Sequence, residues 1–322
     1  MNRFAATALA GGCAILAGFA LWSGVAAIGR DVLAALWVLP GLIGVQLLQL
    51  YVSALSWRTL LGKDPAGRRV PRVLAWRLRL VREGIDSLLP VAQVGGELVA
   101  VRLLGQFGVP LARAGAATTL DLLTEAATLP VVVLAGTVVL WLEGGDLRVL
   151  GWVWAGAGLV AAGLLVLAAA HMSGGLGVLG RWWARWGPRV LRVDGFGREV
   201  DGILGSRVRL LRAAGWHVLA WSMGAAEVWL ALWAIGCPVG VGSAFVVEAF
   251  GVAARGAGFA IPASLGVQDG GYVLAAGLFG VPPEAAFAMA ALKRLREVLI
   301  GVAGLLIWHR TTRRHIVLSE TR

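Results

Sequence analysis

Charged residues are scarce in this chain: Asp, Glu, Lys and Arg make up 15% of its 322 residues, whereas 58% are hydrophobic. Soluble domains carry about 25% charged residues, so the composition excludes a soluble protein. The apolar runs reach roughly 20 residues, the length of a membrane-spanning helix rather than of the ~10-residue strands of an outer-membrane barrel. The sequence therefore predicts an all-α polytopic membrane protein.

Cysteine and the common catalytic motifs are also nearly or wholly missing. Cys13 and Cys237 are the two cysteines, and both lie inside apolar runs, which excludes a disulfide framework and a cysteine zinc site. The sequence has no HExxH, no nucleophile elbow and no P-loop, so hydrolysis and ATP-driven pumping lack their parts. We expect no catalytic residue, no metal and no cofactor, and a protein that is not an enzyme.

The apolar runs predict about seven or eight transmembrane helices in a single membrane domain, residues 1–322. Spans are predicted at residues 4–28, 32–55, 116–142, 149–170, 215–235, 241–261 and 283–308. Two further stretches, 84–110 and 262–282, are broken by Gly and Pro and resemble re-entrant segments. The first 28 residues imitate a signal peptide, but their apolar run is long for one, so we expect a retained first span.

The net charge of +11 comes from arginines grouped between the predicted spans. Basic loops are predicted at 57–83 and 171–214, and the positive-inside rule makes both cytoplasmic, together with the amino terminus. This topology explains the charge better than nucleic-acid binding does, so no nucleic-acid partner is expected. Within the second loop, tryptophans alternate with arginines over 181–212, which predicts an amphipathic anchor on the membrane surface.

One stretch of the chain repeats another at an offset of 172 residues (262 − 90). Pro90 and Pro110 are 20 residues apart, as are Pro262 and Pro282, and the sequence Phe-Gly-Val-Pro closes both stretches. At the same offset lie Gly84 and Gly256, Glu97 and Asp269, Asp121 and Lys293, and Glu125 and Glu297. We therefore predict an internal repeat with halves at approximately 76–142 and 248–308.

Paired Gly/Pro-broken segments are the sequence feature most indicative of a transporter binding site, because a broken helix exposes backbone groups that only protein or a watery cavity can satisfy. The alternative is that Pro and Gly merely kink ordinary helices. The predicted hinge residues are Pro90, Gly95, Gly96, Pro110, Pro262, Gly266, Gly270 and Pro282. The orientation stays open: charge counting puts Pro90 and Pro262 on the cytoplasmic side, and the basic tail at 310–314 joins them only if one broken segment crosses while the other returns.

Charged residues at membrane depth are costly, and they almost always face a bundle interior or a cavity. The predicted site for substrate binding and translocation is Arg82, Glu83, Gln93, Glu97, Asp121, Glu125, Arg255, Gln268, Asp269, Lys293, Arg294 and Glu297. We expect Asp121 to pair with Lys293 or Arg294, or Lys293 to pair with Glu297. The alternatives are ionic glue between helices and, for Arg82, Glu83 and Arg255, snorkelling to the membrane surface. Glu227 and Glu248 are candidates to join this network, and His217 is expected at the interface.

These motifs resemble those of the flippase-like family that includes the membrane domain of lysylphosphatidylglycerol synthase, most closely its hopanoid-associated HpnL branch. The resemblance rests on VREG at 81–84, LP at 89–90, QVGG at 93–96, the Asp121 and Glu125 pair, LGVQDG at 265–270, and LKR at 292–294. Asp269 stands where the family pattern has Glu. The resemblance implies a multi-pass protein of the bacterial inner membrane that moves lipid, here hopanoids destined for the outer membrane. It also implies that the chain does not itself make aminoacylated lipid.

Three functions compete at this point. The first is a lipid translocase for a hopanoid or related polar lipid, or for another lipid such as aminoacyl-phosphatidylglycerol. The second is a membrane-embedded transferase with Asp121, Glu125 or Asp269 as general base. The third is a scaffold for lipid-synthesis enzymes through the basic loops. The oligomeric state is left open.

Overall fold

The computed structural model describes residues 25–64, 66–89, 95–145, 195–257 and 264–320, with single positions at 151, 154, 158, 161–163 and 261. Pro90, Gln93 and Pro262, most of the predicted spans 4–28 and 149–170, and the basic stretch 171–194 lie outside these residues. The described part is helical and contains no strand, which confirms the all-α prediction.

Ten α-helices make up the described part of the chain. They are α1 (Val25–Ala35), α2 (Leu39–Leu61), α3 (Arg72–Leu88), α4 (Gly95–Gln106), α5 (Leu111–Leu142), α6 (Phe196–Leu204), α7 (Arg207–Ile235), α8 (Val241–Ala257), α9 (Val267–Gly277) and α10 (Pro283–Glu320). Three stretches of the described residues are long and apolar enough to cross a membrane, Ala26–Leu61, Leu111–Leu142 and Arg207–Ile235. The chain is therefore an integral membrane protein.

The first boundary predicted from the sequence is wrong. A loop was expected between spans 4–28 and 32–55, but α1 runs through these residues and a 3₁₀ turn, Leu36–Val38, joins it to α2. Arg30 and Asp31 interrupt the apolar run without breaking the helix, because charge alone does not remove a backbone hydrogen bond. Pro40 lies in the first turn of α2, where its missing N–H costs nothing.

The predicted basic loop 57–83 is also mostly helical. α2 continues to Leu61 and α3 begins at Arg72, so the connection is confined to 62–71. Several arginines assigned to that loop from the sequence therefore project from a helix, and two of them, Arg79 and Arg82, are buried.

The two broken stretches each contain a short helix, α4 with 12 residues and α9 with 11. At 1.5 Å per residue these helices are about 17–18 Å long, too short to cross a ~30 Å hydrocarbon core. Both end in the same turn: Gly108 and Gly280 have φ of 82° and 73°, and the following valines donate to the carbonyls of Leu104 and Ala276. Such a left-handed residue favours glycine and ends a helix.

Glycines lie at the contacts of three long helix pairs, and in the first of these pairs the two backbones touch. A Cβ on Gly84 of α3 would lie 2.5 Å from the carbonyl oxygen of Gly301 in α10, and one on Gly136 of α5 would lie 2.8 Å from Ala249 of α8. Along α2 and α7, Gly41 is near Leu230. Small residues allow this close approach, which is the usual means of helix association in lipid.

Candidate functional site

Arg82 of α3 is the centre of a first buried charge cluster. Its side chain is 1% exposed and donates to Glu97 Oε1 of α4 at 2.8 Å and to Asp121 Oδ2 of α5 at 3.0 Å. The guanidinium also lies 5.3 Å from the ring centroid of Trp57 in α2. One cation thereby ties four helices together, and the desolvation of each ion is offset by short, charge-assisted hydrogen bonds.

The same cluster extends along α3 and α5. Arg79 forms a two-pronged ion pair with Glu125, with N–O distances of 2.8 and 3.2 Å. Asp121 Oδ1 accepts a hydrogen bond from Ser56 Oγ at 2.9 Å and lies 3.0 Å from His217 Nε2 of α7. Arg79, Arg82, Glu97, Asp121, Glu125 and His217 together are called the first cluster below.

Three members of this cluster have the residue types of a metal site. Ligand-type atoms of Asp121, Glu125 and His217 lie within 4.8 Å of one another. However, Arg79 and Arg82 already donate to the two carboxylates, and a metal ion would have to displace these guanidinium groups. The trio is better described as part of an ion-pair network.

Lys293 of α10 is the centre of a second cluster. Its Nζ lies 2.5 Å from Glu248 Oε2 of α8 and 3.4 Å from Glu227 Oε2 of α7. Arg296, one turn further on, pairs with Glu227 and donates to Gln46 Oε1 of α2 at 2.5 Å. As in the first cluster, four helices meet at buried charges.

Arg294 connects this group to the short helix α9. It donates to Asp269 at 3.1 Å and to Glu297 at 2.9 Å, and Arg255 of α8 lies 3.6 Å from Glu297. Asp269 also accepts a hydrogen bond from the N–H of Gly266, at 2.9 Å. The carboxylate of Asp269 thus fixes the start of α9 to α10.

Polar side chains complete the second cluster. The hydroxyl of Tyr272 donates to Glu248 at 3.1 Å and accepts from Gln268 at 3.2 Å, while Lys293 lies 4.8 Å from the Tyr272 ring centroid. The second cluster comprises Glu227, Glu248, Arg255, Gln268, Asp269, Tyr272, Lys293, Arg294, Arg296 and Glu297.

A single cavity of about 510 Å³ is bordered by both clusters. Apolar residues such as Leu129, Trp221 and Val252 form the rest of its wall. The basic residues of the wall are Arg79, Arg82, Arg255, Lys293, Arg294 and Arg296, and the acidic residues are Glu83, Asp86, Glu97, Glu125, Glu227, Glu248, Asp269 and Glu297. Six basic and eight acidic side chains line one space, so the cavity suits a polar ligand that competes for these ion pairs.

Most residues predicted from the sequence border this cavity. They are Arg82, Glu83, Glu97, Glu125, Arg255, Gln268, Asp269, Lys293, Arg294 and Glu297. Asp121 is fully buried beside Arg82, and Gln93 lies outside the described residues. The sequence therefore predicted which residues line the cavity better than it predicted which of them form ion pairs.

The predicted partners were wrong. Asp121 pairs with Arg82 and His217 rather than with Lys293 or Arg294, and Lys293 pairs with Glu248 and Glu227 rather than with Glu297. The reason is that Asp121 and Lys293 belong to different clusters, and each has oppositely charged partners within its own cluster. His217 was also misplaced at the interface, since it is 1% exposed and contacts Asp121. Snorkelling is excluded for Arg82 by its burial.

Several cavity residues were missed by the sequence reasoning, notably Arg79, Asp86, Tyr272 and Arg296. A signal for the first two was present: positions 79, 82, 83 and 86 follow the spacing of one helix face. Arg79 falls in the predicted basic loop 57–83 and Asp86 in the predicted broken stretch 84–110, so this shared helix face was divided between two predicted segments. Tyr272 and Arg296 carry no comparable sequence signal beyond their nearness to Asp269 and Lys293.

The predicted hinge glycines and prolines mark helix ends and close contacts. Gly95 begins α4, and a Cβ on Gly96 would lie 2.6 Å from the carbonyl oxygen of Arg82. Gly266, with φ of 78°, precedes α9, and Gly270 is buried within it. Pro110 and Pro282 directly precede α5 and α10, while Pro90 and Pro262 lie outside the described residues.

The comparison with protein families agrees with this architecture. The family model of the lysylphosphatidylglycerol synthase TM region matches residues 9–304, a range that includes both clusters and both broken stretches. No curated protein and no solved structure matches the chain. The family-level resemblance is thus confirmed, whereas the HpnL branch stays a prediction. The chain belongs to the family of the lysylphosphatidylglycerol synthase TM region.

Proposed function

We propose that this protein is a non-enzymatic lipid translocase of the bacterial inner membrane, with its amino terminus in the cytoplasm. The observation that carries the proposal is the cavity bordered by two buried charge clusters in a membrane domain. A lipid head group would exchange hydrogen bonds with these ion pairs while its tail stays in the bilayer. The family match supports a lipid-related function.

We infer that α2–α5 and α7–α10 are two copies of one four-helix unit. α4 and α9 begin at residues 95 and 267, and α5 and α10 begin at 111 and 283, the same offset of 172 in both cases. The helix packing supports the equivalence: α3 packs on α10 as α5 packs on α8, and α2 packs on α5 as α7 packs on α10. Exchanging the two units therefore leaves the scheme of contacts unchanged.

The packing of α2 on α7 supports an inverted relationship between the units. Gly41 lies near Leu230, and Gly62 lies near Arg209, so these two equivalent helices run antiparallel. A twofold axis that reverses helix direction is perpendicular to the helices and lies in the membrane plane. Inverted repeats of this kind are found in transporters that expose a central site to each side in turn.

The same contacts suggest how the broken stretches are arranged. Arg113 at the start of α5 donates to the carbonyl of Leu61 at the end of α2, at 2.7 Å, so α3 and α4 would enter and return on one side. Gly242 at the start of α8 packs on Glu143 beyond the end of α5, so α8 and α9 would return on the opposite side. In this arrangement α8 is the first arm of a re-entrant stretch and not the crossing span predicted at 241–261, so the basic tail after α10 is cytoplasmic although both stretches return.

We propose hopanoids as the substrate, because the sequence resembles the hopanoid-associated branch. The test is deletion of the gene, followed by separation of inner and outer membranes and measurement of hopanoids in each. A normal total with a depleted outer membrane is expected. A normal distribution with a chemically altered lipid would instead favour the transferase, and an unchanged lipid profile would overturn the hopanoid assignment.

A second substrate, aminoacyl-phosphatidylglycerol, is favoured by one observation. The charged groups of the cavity wall in the described residues are eight acids against six bases, a balance that suits a cationic head group. Spheroplasts of the deletion strain would be treated with a membrane-impermeant, amine-reactive reagent before their lipids are extracted. If aminoacyl-phosphatidylglycerol is the substrate, the labelled fraction of this lipid is expected to be lower than in the parent strain.

A further inference from the structure

Asp86, near the end of α3, and Glu97, in the first turn of α4, are two acidic residues on either side of the connection between these helices. Asp86 Oδ1 accepts a hydrogen bond from the backbone N–H of Gly96 at 2.8 Å, which places its carboxyl group on the first turn of α4. Glu97 is the next residue of that turn, so both acidic side chains lie at the start of α4. Both border the cavity.

The Glu97 carboxylate is paired at only one of its oxygens. Arg82 Nε and Nη2 both donate to Oε1, at 3.2 and 2.8 Å, and the remaining Arg82 nitrogen donates to Asp121. Glu97 is 8% exposed, and its Oε2 is buried without a hydrogen-bond partner among the described residues. Two neighbouring carboxyl groups can hydrogen-bond to each other only when one of them holds a proton.

The charges around Asp86 and Glu97 favour one proton bound to this pair of carboxyl groups. The charged groups on the surrounding helices include Arg79, Arg82 and Glu83 of α3, Asp121 and Glu125 of α5, and Arg294 and Glu297 of α10. α2 contributes the neutral polar residues Gln46, Gln49 and Ser53 to the cavity wall. Arg82 is shared between Glu97 and Asp121, and among the described residues no cation forms an ion pair with Asp86.

The second unit has no equivalent of this arrangement in its described residues. Asp269 occupies the position of Glu97, but both its oxygens are paired, Oδ1 with Arg294 Nε at 3.1 Å and Oδ2 with Arg294 Nη2 at 3.2 Å. The N–H of Gly266 donates to Oδ2 as well. The asymmetry makes Asp269 a matched control within the same cavity.

We propose that Asp86 and Glu97 share one proton, bound between the Asp86 carboxyl and Glu97 Oε2, and that this pair couples lipid movement to the proton gradient. The coupling rests on the proposed function, whereas the proton site stands on the geometry alone. On release, the proton passes to water in the cavity and leaves both carboxylates ionised. Their mutual repulsion then disfavours the close approach of Asp86 to the first turn of α4.

An infrared titration of the purified protein tests the proton site without any lipid substrate. The expected result is a carbonyl-stretching band from a protonated carboxyl group at neutral pH that is absent in both Asp86→Asn and Glu97→Gln and retained in Asp269→Asn. Circular dichroism and gel filtration establish that each variant is folded. Persistence of the band in both pair variants, or its equal loss in Asp269→Asn, overturns the proposal.

Transport in proteoliposomes tests the coupling, with a fluorescent hopanoid as the probe and a membrane-impermeant quencher to report its leaflet. One pH unit across the membrane changes proton activity tenfold, so the wild-type rate is expected to change by up to about tenfold while that of Asp86→Asn does not. Equal wild-type rates with and without the gradient overturn the coupling. Absence of probe movement in every sample contradicts the proposed function instead, and the infrared titration then decides the proton site by itself.

Discussion

Arg82 combines a structural role with a position at the cavity wall. Its guanidinium is held by two carboxylates and an aromatic ring, and every one of these partners is on a different helix. A fork of fixed donors can serve several acceptors at once, which the point charge of a lysine does less well. The residue therefore holds the first cluster together while remaining at the edge of the cavity.

Replacing Arg82 by Gln is expected to destabilise the protein strongly. The change leaves Glu97 and Asp121 buried without their cation, and breaking a buried pair costs about 3–5 kcal/mol. Thermal unfolding of the purified protein in detergent measures the effect, with Arg82→Lys expected to be intermediate. Arg77→Gln on the exposed face of the same helix is the control, and equal stability of R82Q and R77Q would contradict the assignment.

Asp269→Asn is expected to abolish transport while the protein still accumulates. Arg294 keeps Glu297 as a partner in this variant, so no cation is left alone and the fold should survive. Loss of one member of a buried pair costs about 2 kcal/mol or more, a roughly 30-fold loss of head-group binding. The outer-membrane hopanoid content, normalised to the amount of protein, measures the effect.

The control for this variant is Asp64→Asn, which breaks a largely exposed ion pair with Arg68 in the α2–α3 connection. It is expected to leave transport and abundance unchanged, because exposed pairs contribute at most about 1 kcal/mol. If D269N lowers abundance as much as transport, Asp269 is a structural residue and not part of the binding site.

At this scale the sequence predicted most of the charged residues that border the cavity, because acids and bases inside apolar runs are rarely there without a partner. It could not predict the pairings. Which of Arg82, Lys293 and Arg294 meets Asp121 depends on the rotation of each helix and on which helices are neighbours. Neither quantity is encoded in local spacing, and an acid can choose among several cations at similar depth.

At the scale of the helices, glycines allow close packing, and the contact between α3 and α10 can be tested by substitution. Gly84→Ala places a Cβ against the backbone of Gly301, where no flexible side chain can move away. We expect a loss of about 1–3 kcal/mol in unfolding free energy, the usual cost of overpacking. Thermal unfolding in detergent, with the transport assay beside it, measures this change.

Gly44→Ala is the matched control, since no atom lies within 4 Å of the added Cβ and the residue is inside α2. It should stabilise the helix by up to about 1 kcal/mol. A loss for Gly44→Ala equal to that for Gly84→Ala would mean that general helix effects, and not the contact between α3 and α10, determine the result.

The short helices α4 and α9 could be predicted as breaks from the sequence because proline and paired glycine directly disturb helical hydrogen bonding. The continuity of α1 and α2 could not, since Arg30 and Asp31 look like a loop between apolar runs and yet are helical. Composition identifies where a helix must break. It does not identify every place where a helix continues through polar residues.

For the whole molecule, the arrangement of the re-entrant stretches predicts a pattern of surface labelling. In a variant without its native cysteines, Ala66→Cys and Gln106→Cys are expected to be cytoplasmic, and Gly240→Cys to face the opposite side. Each of these positions is exposed. A membrane-impermeant thiol reagent on spheroplasts should label only position 240, and all three after permeabilisation. Labelling of position 106 from outside would mean that α3 and α4 cross the membrane.

The antiparallel packing of α2 on α7 has a consequence for the ancestry of the chain. Two identical units that meet in this way must be inserted in opposite orientations, so an ancestor with one unit would have assembled as a dimer of upward and downward copies. Such a protein needs a nearly even distribution of lysine and arginine on its two faces. Under the proposed repeat, duplication and fusion would let each unit acquire its own charge bias, and the unpaired Glu97 oxygen would mark one place where the two copies differ.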